Sequence, residues 1–344
     1  MTTKVLFFGS GAVGAVYAYL LMKAGCEVTA VCRSNYDAVK KDGFHIDSER
    51  LGKGIHIKPL VVRTCDEADG PFDYVVVSCK AFPDANTSQT IAPAVTKGHT
   101  TIALFQNGIG IEEEYAAAFP SNPLLSVSVY LPTTQTSPGH IEMGNVEMLE
   151  IGPHPAPGAS GYNSTAEASA EQLVRLFKSA GGNPHYYANI QERRWSKLLL
   201  NASWNPISAL SLTRDLAFLA SSSSSHDVIH GIMSEVKEIA QALGYTSVDE
   251  AAAEKSFNIV KVREGTSHPG VEPSMLVDIL YGRRMEVEVI LGNPVRIAKR
   301  LGFAVPRLEM LYALSKALDE ATQHRKPGKS LETDDLKKQG ASTT

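Results

Sequence analysis

Residues 5–33 constrain this chain most. An apolar run, Val5-Leu6-Phe7-Phe8, leads straight into Gly9-Ser10-Gly11-Ala12-Val13-Gly14, then into a small-residue stretch and a second apolar run that ends at Arg33. A G-x-G-x-x-G pattern is weak alone, but between two strand-like runs each glycine has a separate task. Gly9 permits the tight turn out of the strand, Gly11 lets a pyrophosphate approach the backbone, and Gly14 lets the next helix lie close to the sheet. The free N–H groups and positive end of a helix starting near Ala12 favour a phosphate anion. This predicts a dinucleotide site on Gly9, Ser10, Gly11, Ala12, Val13 and Gly14; the alternative is a close-packed turn without a ligand.

The end of the second strand selects the cofactor. NAD sites place Asp or Glu there, about 20 residues past the motif, to accept from the ribose 2′-hydroxyl. This chain has Val31-Cys32-Arg33-Ser34-Asn35 instead. The guanidinium of Arg33 suits a 2′-phosphate, and no acid stands there to repel it. NADPH is therefore the expected cofactor; otherwise Arg33 is a solvated strand-end cation.

A chain of 344 residues is long for one domain, so two are expected. The net charge of −4 and the lack of a basic stripe exclude a nucleic-acid groove as an expectation. The first strand begins almost at Met1, leaving no room for a signal peptide, and no apolar run is long enough to span a bilayer. No membrane association and a cytoplasmic location are expected. Cys26, Cys32, Cys65 and Cys79 have no C-x-x-C spacing and no accompanying histidine cluster, so they are read as reduced thiols, and no metal is expected.

Strand-like runs at 5–8, 26–32, 74–79 and 101–105 alternate with helical or loop segments and predict a parallel sheet. Residues 125–131 and 146–151, separated by the turn-rich Thr136-Ser137-Pro138-Gly139, read as further strands of that domain. Residues 153–165 read as a loop, 167–180 as a helix and 184–188 as a short strand. Helical patterns then cover 191–212, 226–244, 247–264, 273–301 and 306–322. The expected layout is a doubly wound α/β nucleotide-binding domain (1–188), an all-helical substrate domain (189–323) covering the nicotinamide end, and a polar tail (324–344). Sequence admits a homodimer without requiring one.

Within Glu192–Leu210, Lys197, Asn201 and Asn205 are spaced by four among Trp195, Leu198, Leu199, Ala202 and Trp204. At 3.6 residues per turn they form one stripe drifting about 40° per step, a fitting lining for a polar cleft. An exposed polar stripe is the alternative. If 273–301 is one helix, Glu286 and Asn293 share a face while Glu288 points about 200° away from Glu286, so only Glu286 can oppose Lys197. Ser274 precedes that helix with a hydroxyl to donate. Lys80 and Asn107 close the strand ends at 74–79 and 101–105, on the ligand edge of such a sheet.

The chain resembles the ketopantoate reductases (2-dehydropantoate 2-reductases). The resemblance runs from the glycine motif to about residue 320, through Cys79-Lys80-Ala81, Gln106-Asn107-Gly108-Ile109-Gly110, Trp195-Ser196-Lys197-Leu198 to Asn201 and Asn205-Pro206, and Pro273-Ser274-Met275 through Asp278 to Glu286. It implies NADPH-dependent reduction of a 2-oxo acid and a C-terminal domain like that of 6-phosphogluconate dehydrogenase. It further implies Lys197 as catalytic lysine and Glu286 as the glutamate that holds substrate. By the same resemblance Asn201, Asn205 and Ser274 contact substrate, Arg33 and Lys80 are cofactor-side cations, and Asn107 lies near the nicotinamide. Asp215, Met285 and Met143 depart from the family pattern, all on the substrate side. A reductase of another branched or aromatic 2-oxo acid, of the D-mandelate dehydrogenase kind, and a non-catalytic NADP(H)-sensing protein are the competing readings.

Overall fold

The computed structural model describes residues 2–324. The expected tail therefore lies outside the described residues, apart from His324, which closes the last helix.

Twelve strands are described: β1 (Lys4–Phe8), β2 (Glu27–Val31), β3 (Phe44–Ser48), β4 (Gly52–Ile57), β5 (Leu60–Val62), β6 (Tyr74–Val77), β7 (Thr101–Leu104), β8 (Leu124–Tyr130), β9 (Thr133–Ser137), β10 (His140–Met143), β11 (Met148–Pro153) and β12 (Pro184–Tyr186). Eight of them form one sheet in the order β12-β11-β8-β7-β6-β1-β2-β5. All its pairings are parallel except β8 with β11. Strand order reverses around β1, which lies between β2 and β6, and this switch point is where doubly wound sheets bind ligands. Val5 to Phe8 and Tyr74 to Val77 are buried on both faces, which is why these strands read as unbroken apolar runs.

The remaining strands form a second sheet, β4-β3-β10-β9, that the sequence reading left unassigned. Its core face carries Phe44, Ile46, Ile141 and Met143. Helix α1 (Ala12–Lys23) packs against this sheet as well as the main one, which accounts for burial almost all round from Gly14 to Leu21. The turn expected at 136–139 joins β9 to β10.

The helical part begins with α6 (Ile190–Ser211), after the helices of the first part: α2 (Tyr36–Asp42), α3 (Thr87–Ile91), α4 (Glu112–Ala118) and α5 (Ser164–Ser179). It continues with α7 (Asp215–Ser221), α8 (Ser225–Ala242), α9 (Glu250–Lys261), α10 (Ser274–Leu280), α11 (Asn293–Leu301) and α12 (Pro306–His324). The single helix expected over 273–301 is not formed. α10 ends at Leu280, Gly282 takes φ +63°, residues 283–286 run without helix, and a π-helical turn, Glu288–Gly292, leads into α11. Tertiary bonds override the helical period here. Arg284 pairs with Asp84 through both terminal nitrogens (2.9 and 3.0 Å), and Met285 N donates to Asp319 (2.6 Å).

Candidate active site

The strand-to-helix turn after β1 is built as its glycines require. Gly9 takes φ +94°, and a Cβ there would lie 2.3 Å from Cys79 N, so only glycine fits. At Gly14 a Cβ would press on Gly9 O and Ser78 Oγ at 2.8 Å, whereas one on Gly11 would meet nothing within 4 Å. Gly11 thus faces open space at the start of α1, and the turn is held from behind by Asn35, whose Nδ2 donates to Ser10 O (2.8 Å) and to Gln135 of β9 (3.2 Å). This open cradle at a helix N-terminus fits a dinucleotide pyrophosphate.

A cleft of about 1090 Å³ runs from Gly9–Val13 past Arg33 to Asn107, Ser274 and Glu286. Arg33 is exposed and stacks on Phe8, 4.9 Å from its centroid, with no ion pair among the described residues. The opposite wall comes from the second sheet: Asp47, Glu49, Lys53, Thr133 to Gln135, Glu142 and Met143. Apart from Met143, the sequence reading missed these residues, although the alternation Phe44-His45-Ile46-Asp47-Ser48 is a strand signal. Met143 is buried there, with Ser48 Oγ 3.3 Å from its sulfur.

At the inner end three distant segments meet. Lys197 Nζ donates to Asn107 Oδ1 (2.8 Å) and to Val129 O (2.6 Å) and lies 5.2 Å from the Tyr130 ring centroid. Asn107 Nδ2 donates to Glu286 Oε2 (3.2 Å), while Glu286 Oε1 accepts from Ala81 N (3.0 Å). Asn107 therefore joins the lysine of α6 to the glutamate before the π turn. Glu286 does oppose Lys197, but from a non-helical segment rather than from a helix face shared with Asn293. Glu288 turns away to Tyr312, Arg296 and Lys316.

Desolvation pulls the Lys197 ammonium down to about 7, helped by nearby Arg194 and opposed by Glu286 and Glu150. Asn201 shares a small hollow with Lys197, Asn107 and Arg194, whereas Asn205 Nδ2 donates to Ser274 Oγ (3.2 Å). The stripe thus splits between two neighbouring parts of the seam.

Lys80 lines the cleft but is already engaged. Its Nζ pairs with Asp278 and donates to Arg284 O at 3.2 Å. Burial raises Asp278 to about 6 despite that lysine. Asp215 does not face the cleft: its buried carboxylate accepts from Val271 N, Leu216 N and Arg263, each at 2.7 Å, and so fixes the loop leading to Ser274. Met285 is buried beside the same seam.

Arg194 was not singled out from sequence. It is buried, and its guanidinium donates to Gly108 O (2.6 and 3.0 Å), Gln106 O (2.9 Å), Ser126 Oγ (3.0 Å) and Val127 O (3.2 Å), with Glu112 3.4 Å away. The 106–108 loop that carries Asn107 is thereby tied to α6, one turn before Lys197. An arginine next to Trp195 in an apolar helix was the available signal.

Among the described residues no helix is long and apolar enough to cross a membrane. The family description "Ketopantoate reductase PanE/ApbA" matches residues 5–156, and its C-terminal counterpart matches 189–319. A curated relative, uncharacterized protein YDL144C of Saccharomyces cerevisiae, is 33% identical over 94% of this chain and 96% of its own. The crystal structure of 2-dehydropantoate 2-reductase from Methylococcus capsulatus is 35% identical, with a TM-score of 0.80 over 95% of this chain and 99% of that one. D-mandelate dehydrogenase, solved with NADH and anilino(oxo)acetate, shares the fold at 21% identity and a TM-score of 0.80, over 94% of this chain and 100% of that one. With a doubly wound sheet, a helical second part and an inner seam joining Lys197 to Glu286, the chain belongs to the ketopantoate reductase family of oxidoreductases.

Proposed function

We propose that the protein reduces 2-dehydropantoate to pantoate with NADPH, using residues 1–188 to bind the nucleotide and 189–323 to bind and protonate the oxo acid. The observation that carries this reading is the hydrogen-bonded chain from Glu286 and Asn107, which line the inner end of the cleft that begins at the glycine turn, to Lys197 in the small hollow that Asn107 also lines. Gly9 to Gly14 would hold the pyrophosphate, Arg33 the 2′-phosphate, and Asn107 the nicotinamide end, with Lys80 on the cofactor side once released from Asp278. Bound NADPH supplies the hydride. An ammonium has three N–H donors, and Lys197 directs two of them to Asn107 and Val129, which leaves one for the substrate carbonyl. That N–H polarises the ketone and then gives its proton to the alkoxide oxygen. Desolvation makes Lys197 a stronger acid than a surface lysine and brings its pKa near the working pH, which suits it to this step. Glu286 holds the substrate hydroxyl, and Asn201, Asn205 and Ser274 orient the rest of the oxo acid. A cytoplasmic place in pantothenate synthesis belongs to the same reading.

The test is NADPH oxidation, followed by absorbance, with 2-dehydropantoate and a panel of branched and aromatic 2-oxo acids, repeated with NADH. Highest kcat/KM for 2-dehydropantoate with NADPH is expected. Preference for an aromatic oxo acid would move the substrate toward the mandelate type, and binding of NADPH without turnover of any oxo acid would leave a sensing role.

A further inference from the structure

The second sheet carries a histidine ladder that the reductase chemistry does not use. His56 on β4, His45 on β3 and His140 on β10 stand directly across from one another on adjacent strands. The His45 and His56 rings stack at 4.3 Å and 8°, and His45 and His140 at 4.8 Å and 9°. Cross-strand stacking accounts for the ladder as packing. It does not account for where the first two rings point.

Both Nε2 atoms converge on Asp42, the last residue of α2. His45 Nε2 lies 2.9 Å from Asp42 Oδ2, and His56 Nε2 lies 2.5 Å from Asp42 O and 3.8 Å from Oδ1. One ligand atom from each of the three residues falls within 4.8 Å of the others. Gly43, at φ +79°, makes the sharp turn that brings the end of α2 against β3 and β4. The acid also sits at the carbonyl end of its helix, where the dipole disfavours it and a cation is welcome.

We propose that Asp42, His45 and His56 form a surface site for a late first-row divalent ion of the Zn²⁺, Ni²⁺ or Cu²⁺ class. Two imidazoles and a carboxylate are the donor set such ions prefer, and hard ions such as Mg²⁺ favour all-oxygen sites instead. Metal–ligand distances of about 2.0–2.2 Å put donors roughly 3.3–3.6 Å apart in a tetrahedral site, so small side-chain rotations close the set. As it stands each Nε2 donates to an Asp42 oxygen and so carries the ring proton; an incoming ion would take the Nε2 lone pair with that proton moved to Nδ1. Asp42 and His56 are exposed, and a hollow of about 450 Å³ beside Asp42, His45 and His140 leaves room for waters to complete the coordination. Lys58, whose Nζ lies 3.8 Å from Asp42 Oδ1, and Lys41, which lines the hollow, are the competing cations. The residues lie at 42, 45 and 56, a spacing that no linear metal motif covers, so the site is made by strand register.

The site stands apart from the reductase reading, and so does its test. Full-length protein freed of any affinity tag is titrated calorimetrically with Ni²⁺ and Zn²⁺ at pH 7.5. One ion per chain is expected. His45→Gln and His56→Gln should each weaken binding at least about tenfold, since even losing an outer-shell partner commonly costs 10–100-fold. His140→Gln should stay within about twofold, Lys58→Gln should tighten binding, and Mg²⁺ should give no heat. Circular dichroism confirms that the surface variants fold. Unchanged Ni²⁺ affinity in both His45→Gln and His56→Gln, equal binding of Mg²⁺, or a His140→Gln loss as large as that of His45→Gln would each overturn the assignment.

Discussion

At the glycine-turn end of the cleft the turn itself, Gly9 to Val13, is one short stretch of chain and is left open, whereas at the inner end Lys197, Asn107 and Glu286 come from distant stretches and already satisfy one another. Gly11 faces empty space and Arg33 has no ion-pair partner among the described residues. Lys197, by contrast, is bonded to Asn107 and Val129, Glu286 to Asn107 and Ala81, and Lys80 to Asp278 and Arg284. A ligand at the first end meets preformed backbone donors. At the second it must exchange with internal hydrogen bonds, which ties binding there to the fit between the two parts of the molecule.

Substitutions test this contrast. Removing a general acid typically costs about 10²–10⁴-fold, so Lys197→Ala should lose kcat on that scale while its NADPH dissociation constant stays unchanged. The pH profile gives an independent reading. If the ammonium is the acting form as proposed, with burial lowering its pKa to about 7, wild-type kcat/KM for reduction should fall as pH rises through about 7. That limb should vanish in the variant. Retention of more than about a tenth of wild-type kcat would remove Lys197 from the proton transfer.

Arg33→Ala should raise the NADPH KM roughly ten- to a hundredfold, as a hydrogen bond to a charged group is worth about 1.5–3 kcal/mol. NADH use should hardly change. Equal effects on the two cofactors would show that the arginine does not read the 2′-phosphate.

Gly11→Ala probes the open end directly. Since its Cβ meets no protein atom within 4 Å, the melting temperature should hold while the NADPH dissociation constant rises about tenfold, or ~1.4 kcal/mol. Gly9→Ala should instead destabilise the fold, because its Cβ would collide with Cys79 backbone. Similar melting temperatures for the two variants would break the distinction.

The smallest effect is expected at Asn201. Losing neutral hydrogen bonds worth about 1 kcal/mol, Asn201→Ala should raise the oxo-acid KM roughly fivefold and leave NADPH affinity within about twofold. A large loss of NADPH affinity with unchanged substrate KM would place the amide on the cofactor side.

How much of this was legible in the sequence follows the same contrast. The glycine turn could be read because its parts are contiguous and each glycine answers a local steric demand. The α6 stripe was legible because 3.6-residue spacing puts Lys197 and Asn201 on one face. Glu286 was matched to Lys197 by a helical spacing that does not exist, since Asp84 and Asp319 pull residues 284 and 285 out of helix. Those bonds join residues far apart in the chain, so no local pattern announces them. The Lys80–Asp278 pair and Arg194's hold on the 106–108 loop were hidden for the same reason. Asp215, read as a substrate-side departure, proved to be a loop clamp because its partners lie in 263–271.

The π turn between Glu286 and Asn293 sets the phase of the seam. Ile109 N donates to Val289 O (2.8 Å), and Asn293 Nδ2 donates back to Ile109 O (2.6 Å), so the extra residue of that turn is clamped on both sides by one residue of the α/β part. A π turn holds one residue more than an α turn. Deleting one residue within 288–292 would restore the ordinary helical period and rotate everything before it by about 100° relative to Asn293. Glu286 would swing off Asn107 without any change in its own identity. The acid is therefore specified as much by chain length as by side chain, and in this segment an insertion or deletion is a more severe mutation than almost any replacement.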